Sequence, residues 1–250
     1  MIGIYDLNIC TELSFLERLK IYKECGFLEV ALYLDNAYDK KDENYLDIIG
    51  SAKSLGLKIK QVHIDYKISN LICDETTDEY FDYVSKKLKE AKTLDIPFVA
   101  AHASMSSEPP KISDTQLEKF KDMMESVNGV TLCLENVRNN HNLKRILALN
   151  LENVKMCFDL GHAHCYENEK EIFEEYKEHI ICSHLHDNFK KDTHFCLGDG
   201  EIDYKEIVSN LKKIENSSNC LECFPEYGKV LNKEEFVAFV KKCYDSVKNL

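Results

Sequence analysis

An α/β chain closed into one barrel of eight parallel strands and eight helices is predicted by three observations. Short apolar runs alternate strictly with longer amphipathic, Lys/Glu-rich segments. Several of the runs are apolar almost throughout, as strands buried on both faces must be. The length, 250 residues, is the size at which eight βα units fill a single domain, here 1–250.

The elements follow in order. The run Gly3–Ile9 leads to Ser14–Cys25, where Phe15, Leu16, Leu19 and Tyr22 share one side. Phe27–Leu34 is followed by the helix pattern Asn44–Leu55, with Gly56 as its stop. Leu57–Ile64 precedes Thr77–Leu94, the longest pattern, with Tyr80, Phe81, Val84, Leu88 and Ala91 at helical spacing. Pro97–Ala103 pairs with Ser113–Val127, and Val130–Val137 with Asn142–Leu149. Val154–Leu160 precedes Glu169–His179, Ile180–Leu185 precedes Tyr204–Glu215, and Cys220–Phe224 precedes Lys233–Leu250. Asp114 and Asp203 stand where first-turn acids or caps belong. A repeating βα unit with short connections specifies a parallel sheet covered by helices, and eight units give a TIM barrel. A doubly wound open sheet would show a Gly-rich turn after its first strand, which is missing. No Pro/Gly/Ser-rich linker divides the chain; Glu108-Pro109-Pro110 reads as a βα loop.

Composition narrows the function classes. The formal net charge is −12, and only Arg18, Arg138 and Arg145 among 32 basic residues are arginines. That balance argues against nucleic acid and anionic lipid as partners. No stretch approaches a membrane span, and no signal peptide is visible, so a cytoplasmic protein is expected. Eleven cysteines, an odd count without a secretory signal, read as reduced thiols. Cys220 and Cys223 have redox or zinc spacing, but no second pair accompanies them, and they read as structural.

A barrel of this kind builds its site at the C-terminal strand ends. Those ends carry His63, His102, Glu135, Asp159 with His162 beyond it, His184 with Asp192 and His194 in the following loop, and Glu222. Ionisable groups clustered at buried strand ends are costly unless they bind a charge, and imidazoles with carboxylates suit a divalent ion such as Zn²⁺ or Mn²⁺. Residues two apart on a strand share a face, so Cys133, Cys157, Cys182 and Cys220 should lie one layer below, as filler rather than ligands. His141, His164 and His179 read as surface or structural. His186 and Asp187 follow a ligand strand and could support the site or touch substrate. Glu29 has no clear role, and Gly198-Asp199-Gly200 reads as a turn.

The stretches VHIDYKISN, AAHAS, LCLENV, CFDLGHAH, HLHDN, DTHFCLGDGEIDY and LECF together resemble the xylose isomerase-like TIM-barrel superfamily. That group includes sugar phosphate isomerases/epimerases and the endonuclease IV family (AP endonuclease family 2). The likeness runs from the third strand to the eighth; the first two units carry no matching motif. It implies one metal at His63, His102 and Glu135, a second at Glu135, Asp159, His184 and Glu222, and a third at His162, Asp192 and His194. One to three ions are therefore expected. In the isomerase/epimerase members the second site alone is typical, and its two glutamates move the proton.

Two chemistries fit this ligand set. The first is isomerisation or epimerisation of a sugar or sugar phosphate through an enediolate. Glu135 and Glu222 would be the catalytic acid–base pair, and His162 and His186 would orient substrate hydroxyls. The second is phosphodiester hydrolysis, on abasic-site DNA or a small phosphoester, which the full nine-residue set favours. The charge, the scarcity of Arg and the short acidic segment Asp35–Glu43 oppose a DNA substrate. A non-catalytic metal-binding barrel ranks last, because both glutamates are present. The first chemistry is the expectation.

Overall fold

The computed structural model describes residues 1–6, 8–34, 45–226 and 229–250. Asp35–Glu43 lies outside them. Eight parallel strands pair each with the next, and β8 closes on β1, giving a (β/α)8 TIM barrel. The strands are β1 Ile2–Tyr5, β2 Val30–Tyr33, β3 Gln61–His63, β4 Phe98–His102, β5 Thr131–Glu135, β6 Val154–Asp159, β7 Ile180–Leu185 and β8 Ser218–Leu221. The α-helices are α1 Phe15–Cys25, α2 Tyr45–Ser54, α3 Glu79–Thr93, α4 Asp114–Glu125, α5 His141–Leu147, α6 Leu160–Tyr166, α7 Glu169–Tyr176, α8 Lys205–Leu211 and α9 Lys233–Val247.

Local chemistry sets the helix ends. Ser14 caps α1 in a capping box with Glu17, and Gly26 closes it at φ 111°. Ser113 accepts from Gln116 N to cap α4, and Asn232 forms a capping box with Glu235 at α9. Asp114 does begin α4, paired with Arg145 at 2.6 Å. Asp203 is not a cap: it pairs with Lys170 at 3.4 Å, one residue before the N-cap position of α8.

Two segments differ from the expected alternation. A 3₁₀ helix, Tyr66–Cys73, fills the connection after β3. The short α6 starts directly at the end of β6, because Asp159 Oδ1 accepts from His162 N at 2.6 Å. The strand therefore turns into a helix without a loop, and Asp159 and His162 end on adjacent positions. The last strand starts two residues earlier than expected and ends at Leu221, leaving Glu222 just beyond it.

The main core lies between sheet and helices, where Ile4, Leu32, Val62, Val99, Leu134 and Phe158 face outward from the barrel. Their neighbours in sequence face inward. Phe98, Ala100, Cys133, Cys157 and Cys182 form one interior cluster, and Tyr5, Ala31 and Cys220 another. All four cysteines expected beneath the strand ends lie inside the barrel, fully buried. At the opposite end of the barrel, Glu29 is buried with Ser218 donating to it and Lys60 3.9 Å away.

Candidate metal centre

Strand register brings the ligand types together. His102 lies opposite Glu135 and Asp159 opposite His184 across adjacent strands. Single donor atoms of Glu135, Asp159, His184 and Glu222 all lie within 4.8 Å of one another, and so do those of His63, His102 and Glu135. His162, Asp192 and His194 meet in a third group, which His186 joins. All nine residues singled out in the sequence fall into these three groups, and Glu135 is common to two of them.

The distances centre on Glu135. Its Oε2 lies 2.9 Å from His184 Nδ1 and 3.3 Å from both His63 Nε2 and His102 Nε2. Its Oε1 lies 2.9 Å from His162 Nδ1. His184 Nδ1 is also 3.2 Å from Glu222 Oε2 and 3.8 Å from Asp159 Oδ2. Glu135, Asp159 and His184 are at most 1% exposed. Yet Glu135 Oε1, Asp159 Oδ2 and His184 Nδ1 make no hydrogen bond, although the last two are 3.8 Å apart. Buried polar atoms are normally satisfied, and three left unbonded in one cluster call for a further partner. Carboxylates and an imidazole in this arrangement fit a divalent cation.

Surrounding groups fix the ring orientations. His63 Nδ1 lies 2.6 Å from Ile64 O, and His194 Nδ1 2.9 Å from Glu222 O. Donation to these carbonyls leaves each Nε2 lone pair facing the cluster. Gln61 meets His184 Nε2 at 2.5 Å through its amide nitrogen, while its Oε1 has no partner. The reversed amide accepts the ring proton at Oε1 and points the Nδ1 lone pair at the carboxylates. Asn136 holds Asp159 on both sides, accepting from its N at 2.7 Å and donating to its O at 2.8 Å.

The electrostatics follow from the crowding. Burial favours the neutral Glu135 carboxyl, but the charges of His184 and His102 outweigh it and hold the group well below its ordinary value. Burial likewise opposes a charged His184, and Cys157, Glu135 and Glu222 overcome it, raising the ring. His102 goes the other way, because burial outweighs its contact with Glu135. Burial pushes the Cys157 thiol up to about 12. That thiol forms a close group with Glu135 and His184, so it touches the site while Cys133, Cys182 and Cys220 only fill the interior.

His186, expected to support the site or touch substrate, is fully buried. It stacks on His194 with ring centroids 3.8 Å apart and places Nε2 3.1 Å from Asp159 Oδ1. Asp187 organises the loop instead of the site. Its side chain accepts from the backbone N of Asn188, Gly198 and Ile202, and its backbone pairs with Phe195. Gly200 is required there, since a Cβ would lie 2.3 Å from Asp187 Oδ1. Of the other histidines, His164 is buried between Glu169 and Glu201. Sequence reasoning missed Tyr33, Gln61 and Asn136. Each is an uncharged residue on or beside a strand, and nothing in the local pattern marks it.

Comparison with known proteins adds the wider context. A family model described as xylose isomerase-like TIM barrel matches residues 19–242. Among solved structures, D-psicose 3-epimerase from Clostridium cellulolyticum H10 superposes with a TM-score of 0.74 at 16% identity, covering 99% of this chain and 98% of that one. IolI, solved with a zinc atom, gives 0.74 at 20% identity over 99% and 98% of the two chains. An AP endonuclease, family 2, from Brucella melitensis gives 0.70 at 18% identity over 95% and 96%. At these identities the likeness is one of fold. The chain spans about half the length of the curated relatives it matches, two proteins of Methanocaldococcus jannaschii.

Proposed function

The chain belongs to the xylose isomerase-like TIM barrel family, and from that premise we propose that it is a divalent-metal-dependent isomerase or epimerase of a sugar or sugar phosphate. One observation supports this most. Glu135 and Glu222 come from strands three steps apart around the barrel, and their carboxylates flank His184 Nδ1 at 2.9 and 3.2 Å. Two carboxylates so placed can reach a small substrate from different sides.

Glu135, Asp159, His184 and Glu222 would hold the ion, Zn²⁺ or Mn²⁺. A divalent cation there supplies Lewis-acid polarisation of a substrate carbonyl. One glutamate takes the proton from the carbon beside the carbonyl, and the other returns it. Tyr33 holds Glu222 by a 2.9 Å hydrogen bond to Oε1. His162, at the edge of the cluster, orients a substrate hydroxyl, while the buried His186 supports it from beneath through Asp159 and His194. IolI, of the same fold, was solved with zinc, and D-psicose 3-epimerase is named for sugar epimerisation.

A second reading, hydrolysis of a phosphodiester, is favoured by the full ligand set. His63 and His102 with Glu135, and His162, Asp192 and His194, would hold two further ions. Against a DNA substrate stands the use of the arginines. Arg18 is buried in a bidentate pair with Asp6, and Arg145 is paired with Asp114. That leaves Arg138, stacked on Tyr166 beside Asp192, as the arginine near the cluster.

The test is a reaction panel on protein loaded with Mn²⁺ or Zn²⁺: ketoses, ketose phosphates, small phosphodiesters and abasic-site DNA. Turnover of a ketose or its phosphate is expected. Efficient nicking of abasic DNA with no sugar turnover would overturn the proposal.

A further inference from the structure

Apart from the carboxylate and imidazole cluster, three thiols meet at one point. Cys196 lies in the loop after β7, Cys223 just after β8, and Cys243 on α9. Their Sγ atoms all lie within 4.8 Å of one another, and those of Cys196 and Cys243 are 3.2 Å apart. All three are at most 3% exposed. All are free thiols. Three elements far apart in the chain thus aim sulfur at a single buried spot, and among the described residues no carboxylate or imidazole joins that group.

We propose that Cys196, Cys223 and Cys243 form a three-thiolate site for a thiophilic d¹⁰ cation, Zn²⁺ or Cu(I). Metal–sulfur bonds of about 2.3 Å set three sulfurs roughly 3.8–4.0 Å from one another. The Cys196–Cys243 separation of 3.2 Å lies below that value and the other two lie under 4.8 Å, so binding needs a slight opening of that pair. Soft donors alone select such ions over Mg²⁺ or Mn²⁺. Each thiol that coordinates releases its proton to solvent, and no redox step is involved. The two cations differ in what else they ask for. Zn²⁺ takes a fourth ligand, which water would supply, because the carbonyls of Leu185 and Phe195 beside Cys223 Sγ already accept from Glu222 N and Asp187 N. Cu(I) is content with three sulfurs but leaves more negative charge buried. In either case the ion ties α9 to two segments of the proposed centre, because Cys196 follows His194 by two positions and Cys223 follows Glu222 directly.

The experiment compares the wild-type chain with Cys243→Ser, whose residue lies on α9 away from the other cluster. Both are reduced, stripped of metal, and loaded anaerobically in separate arms with Zn²⁺ or Cu(I). After desalting, bound metal is counted by mass spectrometry and its neighbours are read by X-ray absorption. The wild type should retain one more equivalent than Cys243→Ser in at least one arm, with a sulfur shell at about 2.3 Å. The arm that succeeds identifies the ion. Should Cys243→Ser fail to fold, Cys243→Ala replaces it, and the sulfur shell of the wild type decides alone. Equal retention by wild type and variant, or retained metal without a sulfur shell, overturns the proposal.

Discussion

Tyr33 Oη donates a 2.9 Å hydrogen bond to Glu222 Oε1, while the other oxygen of that carboxylate lies 3.2 Å from His184 Nδ1. Glu222 stands beyond the last residue of β8, so this bond from β2 orients a side chain that its own strand does not. Burial first, and then the Glu222 charge, push the phenol well above its ordinary value, so it remains a donor. Tyr33→Phe should lower kcat for sugar turnover about tenfold, the loss of one hydrogen bond to a charged group, with little change in Tm. Steady-state kinetics beside a melting curve checks it. An unchanged kcat would remove Tyr33 from the site.

Glu135 is shared by three donor groups and touches four imidazoles. Glu135→Gln should cut turnover by about 10²–10⁴ if the glutamate moves a proton, and should also weaken retention of the divalent ion. Activity and metal content measured on the same preparation check both parts. Intact turnover would mean that the site has been misplaced.

Gly161, the second residue of α6, packs against the His186 ring. A Cβ built there would lie 1.9 Å from His186 Cε1. Gly161→Ala should therefore displace His186 and destabilise the fold by about 1–3 kcal/mol, as overpacking does. Chemical denaturation measures this. A neutral outcome would show that the His186 ring has another place to go.

Glu29, at the end of the barrel away from the site, tests a separate feature. Burial raises its carboxyl above the ordinary value, more than the bond from Ser218 and the charge of Lys60 lower it. The folded protein thus binds this proton more tightly than the unfolded chain. Its stabilising share is complete below the ordinary carboxyl range and is lost as pH rises through the raised value. Glu29→Gln should match the wild type in acid and gain about 1 kcal/mol near neutral pH. Melting curves across pH check it. A constant difference at every pH would contradict it.

Much of this was legible in the sequence because two periodicities coincide. The βα alternation sets the barrel, and the period of two along each strand separates Cys157 from Asp159 only by layer. Since the ligand types stand at strand ends, finding the strands located Glu135, Asp159 and His184. The helix α6 was not legible, because Leu160-Gly161-His162 reads equally as a turn until Asp159 caps it. Tyr33, Gln61 and Asn136 were hidden for another reason. Their roles depend on which atom of a distant strand they meet, and local patterns carry no such information. The meeting of Cys196, Cys223 and Cys243 was hidden in the same way, by sequence separation.

Glu135 and Glu222 are expected to move a proton at a carbon beside a carbonyl. Incubation of the metal-loaded protein with ketoses and ketose phosphates in D₂O tests it directly, read by NMR. Deuterium is expected at the carbon next to the carbonyl of at least one substrate, and should be lost in Glu135→Gln. No exchange into any of them, alongside cleavage of a phosphodiester by the same preparation, would contradict it.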